Sequence, residues 1–189
     1  MEPSRNLRPL AETQGPFYAG CDVGGTNIKL GIIDDQGAPV AYRSLPTQQE
    51  LGPESAAERI AETLEAAMKD VGLSSGEVLR VGLATPGPMD IPRGMLVCPG
   101  NLPAWHNSPI RDLVSRATGK PVTFANDANA AAYGEYWCGA GQAYSSILLL
   151  TLGTGLGAGI IVDNRLIVGS HSCGGECGHI IIDASDSAP

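Results

Sequence analysis

Apolar segments and glycine-rich breaks alternate along the chain and predict a mixed α/β fold. Residues 17–23 and 28–33 are apolar segments joined by the sequence Gly-Gly-Thr-Asn, which predicts an antiparallel hairpin, with a third strand at 39–45. After Pro53, apolar residues recur at helical spacing, so a long helix is expected to follow and to end at Gly72.

The second half of the chain repeats the opening pattern. Residues 81–84 predict a strand reached by a crossover, and 121–124 predict another strand that leads into an alanine-rich helix over 128–137. Residues 146–152 and 157–162 are again apolar and are joined by Gly-Thr-Gly. Two copies of one hairpin predict a duplicated fold with two lobes.

These patterns define the predicted domain organisation. Residues 1–16 are polar and contain prolines, so a flexible N-terminal tail is expected. Residues 17–125 are predicted to form an N-terminal small lobe, and 126–189 to begin a C-terminal large lobe.

Composition and charge narrow the classes of partner. The formal charge of −8 argues against a nucleic-acid surface, which needs clustered Lys and Arg to neutralise phosphates. No apolar run approaches the ~20 residues of a membrane span, and the start of the chain has no apolar signal-peptide core. We therefore expect a cytoplasmic protein that binds neither nucleic acid nor membrane. The five cysteines lack the spacing of a disulfide scaffold and are interpreted as reduced thiols.

Two glycine-rich loops are candidates for binding phosphate groups. In the first, a carboxylate at a strand end precedes two glycines and a hydroxyl donor, although a plain hairpin turn would explain the same residues. The second loop repeats the device, so that two loops could hold a nucleotide's phosphates from both sides. The candidate residues are Asp22, Gly24, Gly25, Thr26, Gly153, Thr154 and Gly155.

Further candidates lie after the strand at 121–124 and near the end of the chain. Asp127 follows Asn126 between a strand and a helix, where it could accept a proton from a hydroxyl nucleophile or merely cap the helix. Glu176 and His179 could contact sugar hydroxyls or hold their turn, and His179 could instead join Cys173 and Cys177 in a metal site. The spacing of the cysteines does not favour the metal site, and no metal-binding residue is predicted.

Taken together, these motifs resemble the ROK family of sugar kinases and sugar-responsive repressors, and most of all its glucokinases. The resemblance runs from about Tyr18 to Ile182. It rests on the two glycine loops, Pro86-Gly87-Pro88-Met89-Asp90, Asn101-Leu102-Pro103-Ala104-Trp105, Asn126-Asp127-Ala128-Asn129-Ala130, Glu135 and Gly175-Glu176-Cys177-Gly178-His179.

The resemblance implies the hexokinase/actin-like (ribonuclease H-like) two-lobed ATPase fold, with ATP and a hexose in the cleft. Asp127 would be the catalytic base, and Asp22 with the two glycine loops would bind the phosphates and Mg²⁺. Glucose would be phosphorylated to glucose 6-phosphate in the cytoplasm. The residues implied to hold the sugar are Gly87, Asn101, Asn126, Asp127, Glu176 and His179.

The sequence also departs from the family pattern. Family enzymes continue into a cysteine-rich zinc motif and further helices that do not follow in these 189 residues, so zinc is unsupported and the second lobe is expected to be incomplete. We expect no turnover from the 189-residue chain alone. Its apolar residues Ile147, Leu149, Ile160, Ile180 and Ile182 are expected to be exposed.

The alternatives to a glucose kinase are a kinase for another hexose or an amino sugar, a sugar-responsive repressor, and a catalytically incomplete fragment. A repressor is disfavoured because about 16 residues precede the first strand, too few for a helix-turn-helix module. The sequence does not distinguish ATP from polyphosphate as the phosphoryl donor. The resemblance implies a homodimer.

Overall fold

The computed structural model describes residues 7–153 and 155–183. These residues divide into two compact units, with the boundary between Asp127 and Ala128. The lobes expected at 17–125 and 126–189 remain predictions. A lobe is defined by the ligand cleft that it borders, whereas these two units are defined only by the packing within each. In the expected tail, residues 1–6 lie outside the described residues, and a 3-10 turn is formed by Leu10–Glu12.

The regular elements follow the order expected for an α/β chain. The strands are β1 (Phe17–Val23), β2 (Asn27–Ile33), β3 (Pro39–Pro46), β4 (Val78–Thr85), β5 (Met89–Asp90), β6 (Met95–Leu96), β7 (Val122–Asn126), β8 (Ile147–Leu152), β9 (Leu156–Val162) and β10 (Arg165–Leu166). The α-helices are α1 (Gly52–Val71), α2 (Ile110–Thr118) and α3 (Asp127–Cys138).

The first unit is built on a five-stranded sheet with the strand order β3-β2-β1-β4-β7. The first three strands form an antiparallel meander, whereas β4 and β7 run parallel to β1. The predicted hairpin and the predicted crossover through α1 are confirmed. The three parallel strands place their carboxyl ends at one edge of the sheet, which is where ligands bind in many α/β proteins.

Helix α1 packs its apolar stripe into the core of this unit. Ile60, Leu64 and Met68 recur at helical spacing and are buried. Gly72 ends the helix in the left-handed conformation (φ 78°), which glycine adopts without a steric cost. The predicted helix and its predicted end are therefore confirmed.

A buried lysine ties two connections of the first unit together. The Lys120 ammonium group donates hydrogen bonds to the carbonyl oxygens of Ser75 (2.7 Å) and Val78 (2.6 Å). Burial lowers the pKa of Lys120. These bonds fix the turn after α2 to the turn before β4.

The second unit contains a three-stranded sheet with the order β10-β9-β8, together with most of α3. The predicted second hairpin is confirmed, since β8 and β9 pair antiparallel. Ala128 and Ala132 of α3 lie close to Gly157 and Gly159 of β9, where a Cβ on either glycine would collide with them or their neighbours. The glycines therefore allow the helix to approach the strand.

The expectation that Ile147, Leu149 and Ile160 would be exposed is wrong. Ile147 and Leu149 share a sheet face with the α3-contacting glycines, and Ile160 lies in the central strand, so all three are partly buried. The opposite face of β8 is exposed instead. Its exposed residues are Leu148, Leu150 and Leu152, while Ile180 and Ile182 are exposed as expected.

Candidate active site

The carboxyl ends of β1, β4 and β7 bring several predicted site residues to one edge of the first sheet. Asp22 lies opposite Ala84 in the β1–β4 pair, and Thr85 lies opposite Asn126 in the β4–β7 pair. Asp127 follows Asn126 directly as the first residue of α3. A carboxylate near the end of β1 and another just after β7 therefore belong to the same edge of the sheet.

The first glycine loop is a tight turn between β1 and β2. The Gly24 amide donates a hydrogen bond to the carbonyl oxygen of Asn27 (3.0 Å), and Thr26 is exposed at the tip. Gly25 lies against the backbone of Asn101, because a Cβ at Gly25 would be 2.9 Å from the Asn101 carbonyl oxygen. A candidate phosphate-binding residue and a candidate sugar-binding residue are thus in direct contact.

Asp22 has a cationic neighbour that the sequence analysis missed. The Lys29 ammonium group is 3.6 Å from a carboxylate oxygen of Asp22, and both side chains are about half exposed. The hairpin register carried the signal, since it places Asp22 directly opposite Lys29. The pair puts one negative and one positive group beside the glycine loop.

The Cys21 thiol, which precedes Asp22 in the sequence, is a poor nucleophile in the folded chain. Burial, with a smaller effect from the neighbouring carboxylate, raises the pKa of Cys21 to about 12. All five cysteines are free thiols, as interpreted from the sequence.

The segments carrying Gly87 and Asn101 are anchored within the first unit. Gly87 lies two residues beyond β4 and precedes Pro88 through a cis peptide bond. Trp105, fully buried four residues after Asn101, donates its indole N–H to the carbonyl oxygen of Gln49 (3.0 Å). The buried indole fixes the exposed Asn101 segment against the turn that precedes α1.

Thr85 is a second polar residue that the sequence analysis did not select. Its side chain is fully buried at the end of β4, and its hydroxyl has no hydrogen-bond partner among the residues that the structure describes. Nothing in the local pattern distinguished this threonine from an ordinary strand residue, because its position follows from the pairing of β4 with β7.

In the second unit, the remaining candidates lie around the β8–β9 hairpin. The Gly153 amide donates to the carbonyl oxygen of Gly155 (3.0 Å), and Thr154 lies outside the described residues. Glu176 directly precedes a 3-10 turn that ends at His179, and 3.9 Å separates a Glu176 carboxylate oxygen from the His179 imidazole Nε2. Both side chains are exposed, so each is available to a polar ligand.

Glycines position this turn against β9. A Cβ on Gly175 would lie 2.5 Å from the Ala158 carbonyl oxygen and 3.5 Å from the side-chain oxygen of Asn129. A Cβ on Gly178 would collide with the carbonyl oxygen of Leu156, the residue that begins β9. The turn that carries Glu176 therefore lies close to the start of β9 and to Asn129 of α3, which belong to the same unit.

Within the described part of the chain, no three His, Cys, Asp or Glu side chains form a group that could hold a metal ion. None of its helices combines the length and the apolar character that a membrane span requires.

The order of these motifs is that of one family, since residues 18–188 match the model for the ROK family. The chain belongs to the ROK family. The predicted family membership is confirmed.

The curated relatives include sugar kinases and a xylose repressor of Caldicellulosiruptor bescii, which is 37% identical over 123 residues and covers 65% of this chain and 31% of that protein. The chain is 38% identical over 165 residues to a glucokinase of Thermotoga maritima, covering 87% of this chain and 50% of that protein. It is 32% identical over 172 residues to an N-acetyl-D-glucosamine kinase of Yersinia pestis, covering 90% of this chain and 65% of that protein.

Among solved structures, the chain is similar to a ROK family glucokinase from Streptomyces griseus in complex with glucose and AMPPNP. The identity is 35% and the TM-score is 0.77, covering 88% of this chain and 51% of that one. This likeness confirms the predicted α/β hexokinase/actin-like fold class. The chain spans about half the length of the curated glucokinases that it matches.

Proposed function

We propose that this chain is the phosphate-binding and sugar-binding part of an ATP-dependent hexose kinase. The observation that carries the proposal is the sheet edge that brings together Asp22, Asn126 and Asp127, with the Gly25 turn in contact with Asn101. A phosphate loop, a sugar-facing amide and a carboxylate are the groups that phosphoryl transfer to a hydroxyl requires.

In this proposal, Asp127 accepts the proton of the attacking sugar hydroxyl while the oxygen forms its bond to the γ-phosphorus of ATP. The bond between that phosphorus and the bridging β-γ oxygen breaks, and ADP leaves. The exposed position of Asp127 at the start of α3 supports this role, because a base must reach the hydroxyl directly. Asn126, Asn101, Gly87, Glu176 and His179 would hold the sugar.

The two glycine loops, with residues Gly24 to Thr26 and Gly153 to Gly155, would bind the phosphate groups. Mg²⁺ would neutralise charge on the β- and γ-phosphates, and Asp22 fits as its protein ligand. Mg²⁺ usually keeps several waters and takes only one or two carboxylates beside the phosphates, so a larger cluster of carboxylates is not required. Zinc has no comparable support in the described residues.

Glucose is the preferred substrate in this proposal, since two relatives matched over 165 and 173 residues, at 38% and 35% identity, are named glucokinases. The similarity to an N-acetyl-D-glucosamine kinase makes the 2-acetamido sugar the principal competitor. Glucose 6-phosphate production in the cytoplasm and a homodimeric assembly belong to the same proposal.

The deciding experiment measures ADP release with glucose, mannose and N-acetylglucosamine, each with ATP or polyphosphate as donor. It is run on the 189-residue chain and on any longer product of the same gene, with Asp127→Asn as the catalytic control. Glucose-dependent ADP release that the control loses would support the proposal. Sugar binding without phosphoryl transfer in both preparations would instead favour a sugar-responsive regulator.

A further inference from the structure

Thr47 joins both ends of the first glycine loop. It follows β3 directly and is fully buried. Its hydroxyl donates a hydrogen bond to the carbonyl oxygen of Gly24 (2.6 Å), and its amide donates to the carbonyl oxygen of Thr26 (2.9 Å). One residue that follows a different strand therefore holds two carbonyl groups of a three-residue segment.

Arg59 of α1 holds Thr47 in turn. Its guanidinium donates to the Thr47 carbonyl oxygen (2.5 Å) and to that of Pro46 (2.6 Å). A planar guanidinium that bonds to consecutive carbonyls fixes the orientation of the chain better than a single contact would. Gln48, the next residue, has a left-handed backbone (φ 47°), which non-glycine residues adopt when surrounding contacts impose it.

These bonds determine where the loop's amide groups point. A trans peptide is planar, so its N–H points away from its C=O. When Thr47 fixes the Gly24 carbonyl, the Gly25 N–H is directed to the opposite side. The same holds for the Thr26 carbonyl and the Asn27 N–H. Amide groups that are held in place bind phosphate more tightly than amides that must first be ordered.

We infer that Thr47, held by Arg59, is a positioning residue that fixes the Gly24–Asn27 turn for binding the phosphates of a nucleoside triphosphate. The inference rests on the proposed function, because that function supplies the ligand. Thr47 is buried and does not itself touch the nucleotide in this scheme. It acts through the two carbonyls that it holds.

The test compares Thr47→Val, which removes the hydroxyl, with Thr47→Ser, which retains it. Thr118→Val is the matched control, since the Thr118 hydroxyl also donates to a backbone carbonyl, that of Val114 (2.8 Å), but lies in α2. Three quantities are measured for each protein: the melting temperature, amide hydrogen exchange at residues 24–27, and the Kd for Mg-ATP by calorimetry, with KM values where there is turnover.

We expect Thr47→Val to speed amide exchange in the turn and to raise the Kd or KM for ATP about five- to tenfold, the effect of one lost hydrogen bond. The KM for the sugar should change less than twofold, and Thr47→Ser should restore ATP affinity. Thr118→Val should lower the melting temperature without changing amide exchange in the turn or the affinity for ATP.

Unchanged exchange in Thr47→Val, or faster exchange with unchanged ATP affinity, would overturn the inference. Equal losses of ATP and sugar affinity would also overturn it, since they indicate general destabilisation. If the parent protein binds no Mg-ATP, the proposed function fails and the assigned ligand fails with it. The exchange data would still show separately whether Thr47 holds the turn.

Discussion

Substituting Gly25 by alanine should separate the two loops that meet at the candidate site. The added Cβ would be 2.9 Å from the Asn101 carbonyl oxygen and 3.4 Å from the Asn101 Cβ. Carbon–oxygen contacts are ordinarily about 3.3–3.6 Å, so the loops must move apart by roughly 0.5 Å. Gly25 has no positive φ, so alanine can adopt the same backbone conformation, and the substitution affects only the close contact with Asn101.

The magnitude follows from these contacts. Overpacking costs about 1–3 kcal/mol, and about 0.4–1 kcal/mol is recovered because alanine restricts the unfolded chain. The net loss of about 0–2.5 kcal/mol would lower the melting temperature of a chain of this size by at most about 10 °C. Since a 1 Å misplacement can cost about 100-fold, a shift of half that size should lower kcat/KM of the active protein about tenfold.

Two glycine-to-alanine controls isolate the contact with Asn101. A Cβ on Gly20, in the same strand as Asp22, or on Gly100, beside Asn101, would have nothing within 4 Å. Melting temperature and kcat/KM for sugar and ATP are compared across the three variants. If Gly25→Ala behaves like the controls in both measurements, the contact between the two loops does not set the geometry of the site.

Four further predictions test single groups. Asp127→Asn should lower kcat about 10²- to 10⁴-fold in the active protein while sugar affinity is retained, and a near-normal kcat would assign the base elsewhere. Glu176→Gln should raise the KM for sugar more than the KM for ATP, whereas a larger rise in the KM for ATP would place Glu176 on the nucleotide side. Lys120→Met should cost about 2–4 kcal/mol in chemical denaturation, because it leaves two carbonyls without their charged donor, and a loss below about 1 kcal/mol would contradict this. Cys21 should be alkylated at pH 8 only after unfolding, because its pKa of about 12 leaves roughly a thousandfold less thiolate than an ordinary cysteine has; labelling of the folded protein as fast as at the exposed thiols would refute this.

Much of the first unit could be predicted because its local signals agree with its tertiary structure. The apolar residues of α1 recur at helical spacing and are buried, and the glycine that ends the helix has the backbone conformation expected there. The helix between β3 and β4 predicts a crossover to a parallel strand, and β4 does run parallel, although its pairing with β1 was not predicted. This pairing brings Asp22 to the edge of the sheet where β7 ends.

The contacts that shape the candidate site are long-range and had no local signal. Asn101 lies 76 residues beyond Gly25 in the sequence, and Thr47 lies 23 residues beyond Gly24. A threonine after a strand is unremarkable in sequence, since its hydroxyl gains a role only when β3 pairs beside the β1–β2 turn. Sequence patterns therefore selected the residues expected to touch ligands and missed those that hold them.

The β8 strand shows why alternation alone could not assign its faces. It is apolar at every position but one, so a period of two residues does not separate an inner from an outer face. The neighbouring elements carried the information. Gly157 and Gly159 are spaced by two in β9, and Ala128 and Ala132 by four in α3, so each pair presents small residues on one face. Small residues on a strand and on a helix favour close packing, and in the structure these faces do meet. The register places Leu149 on the helix-facing side with Gly159, which leaves the opposite face of β8 exposed.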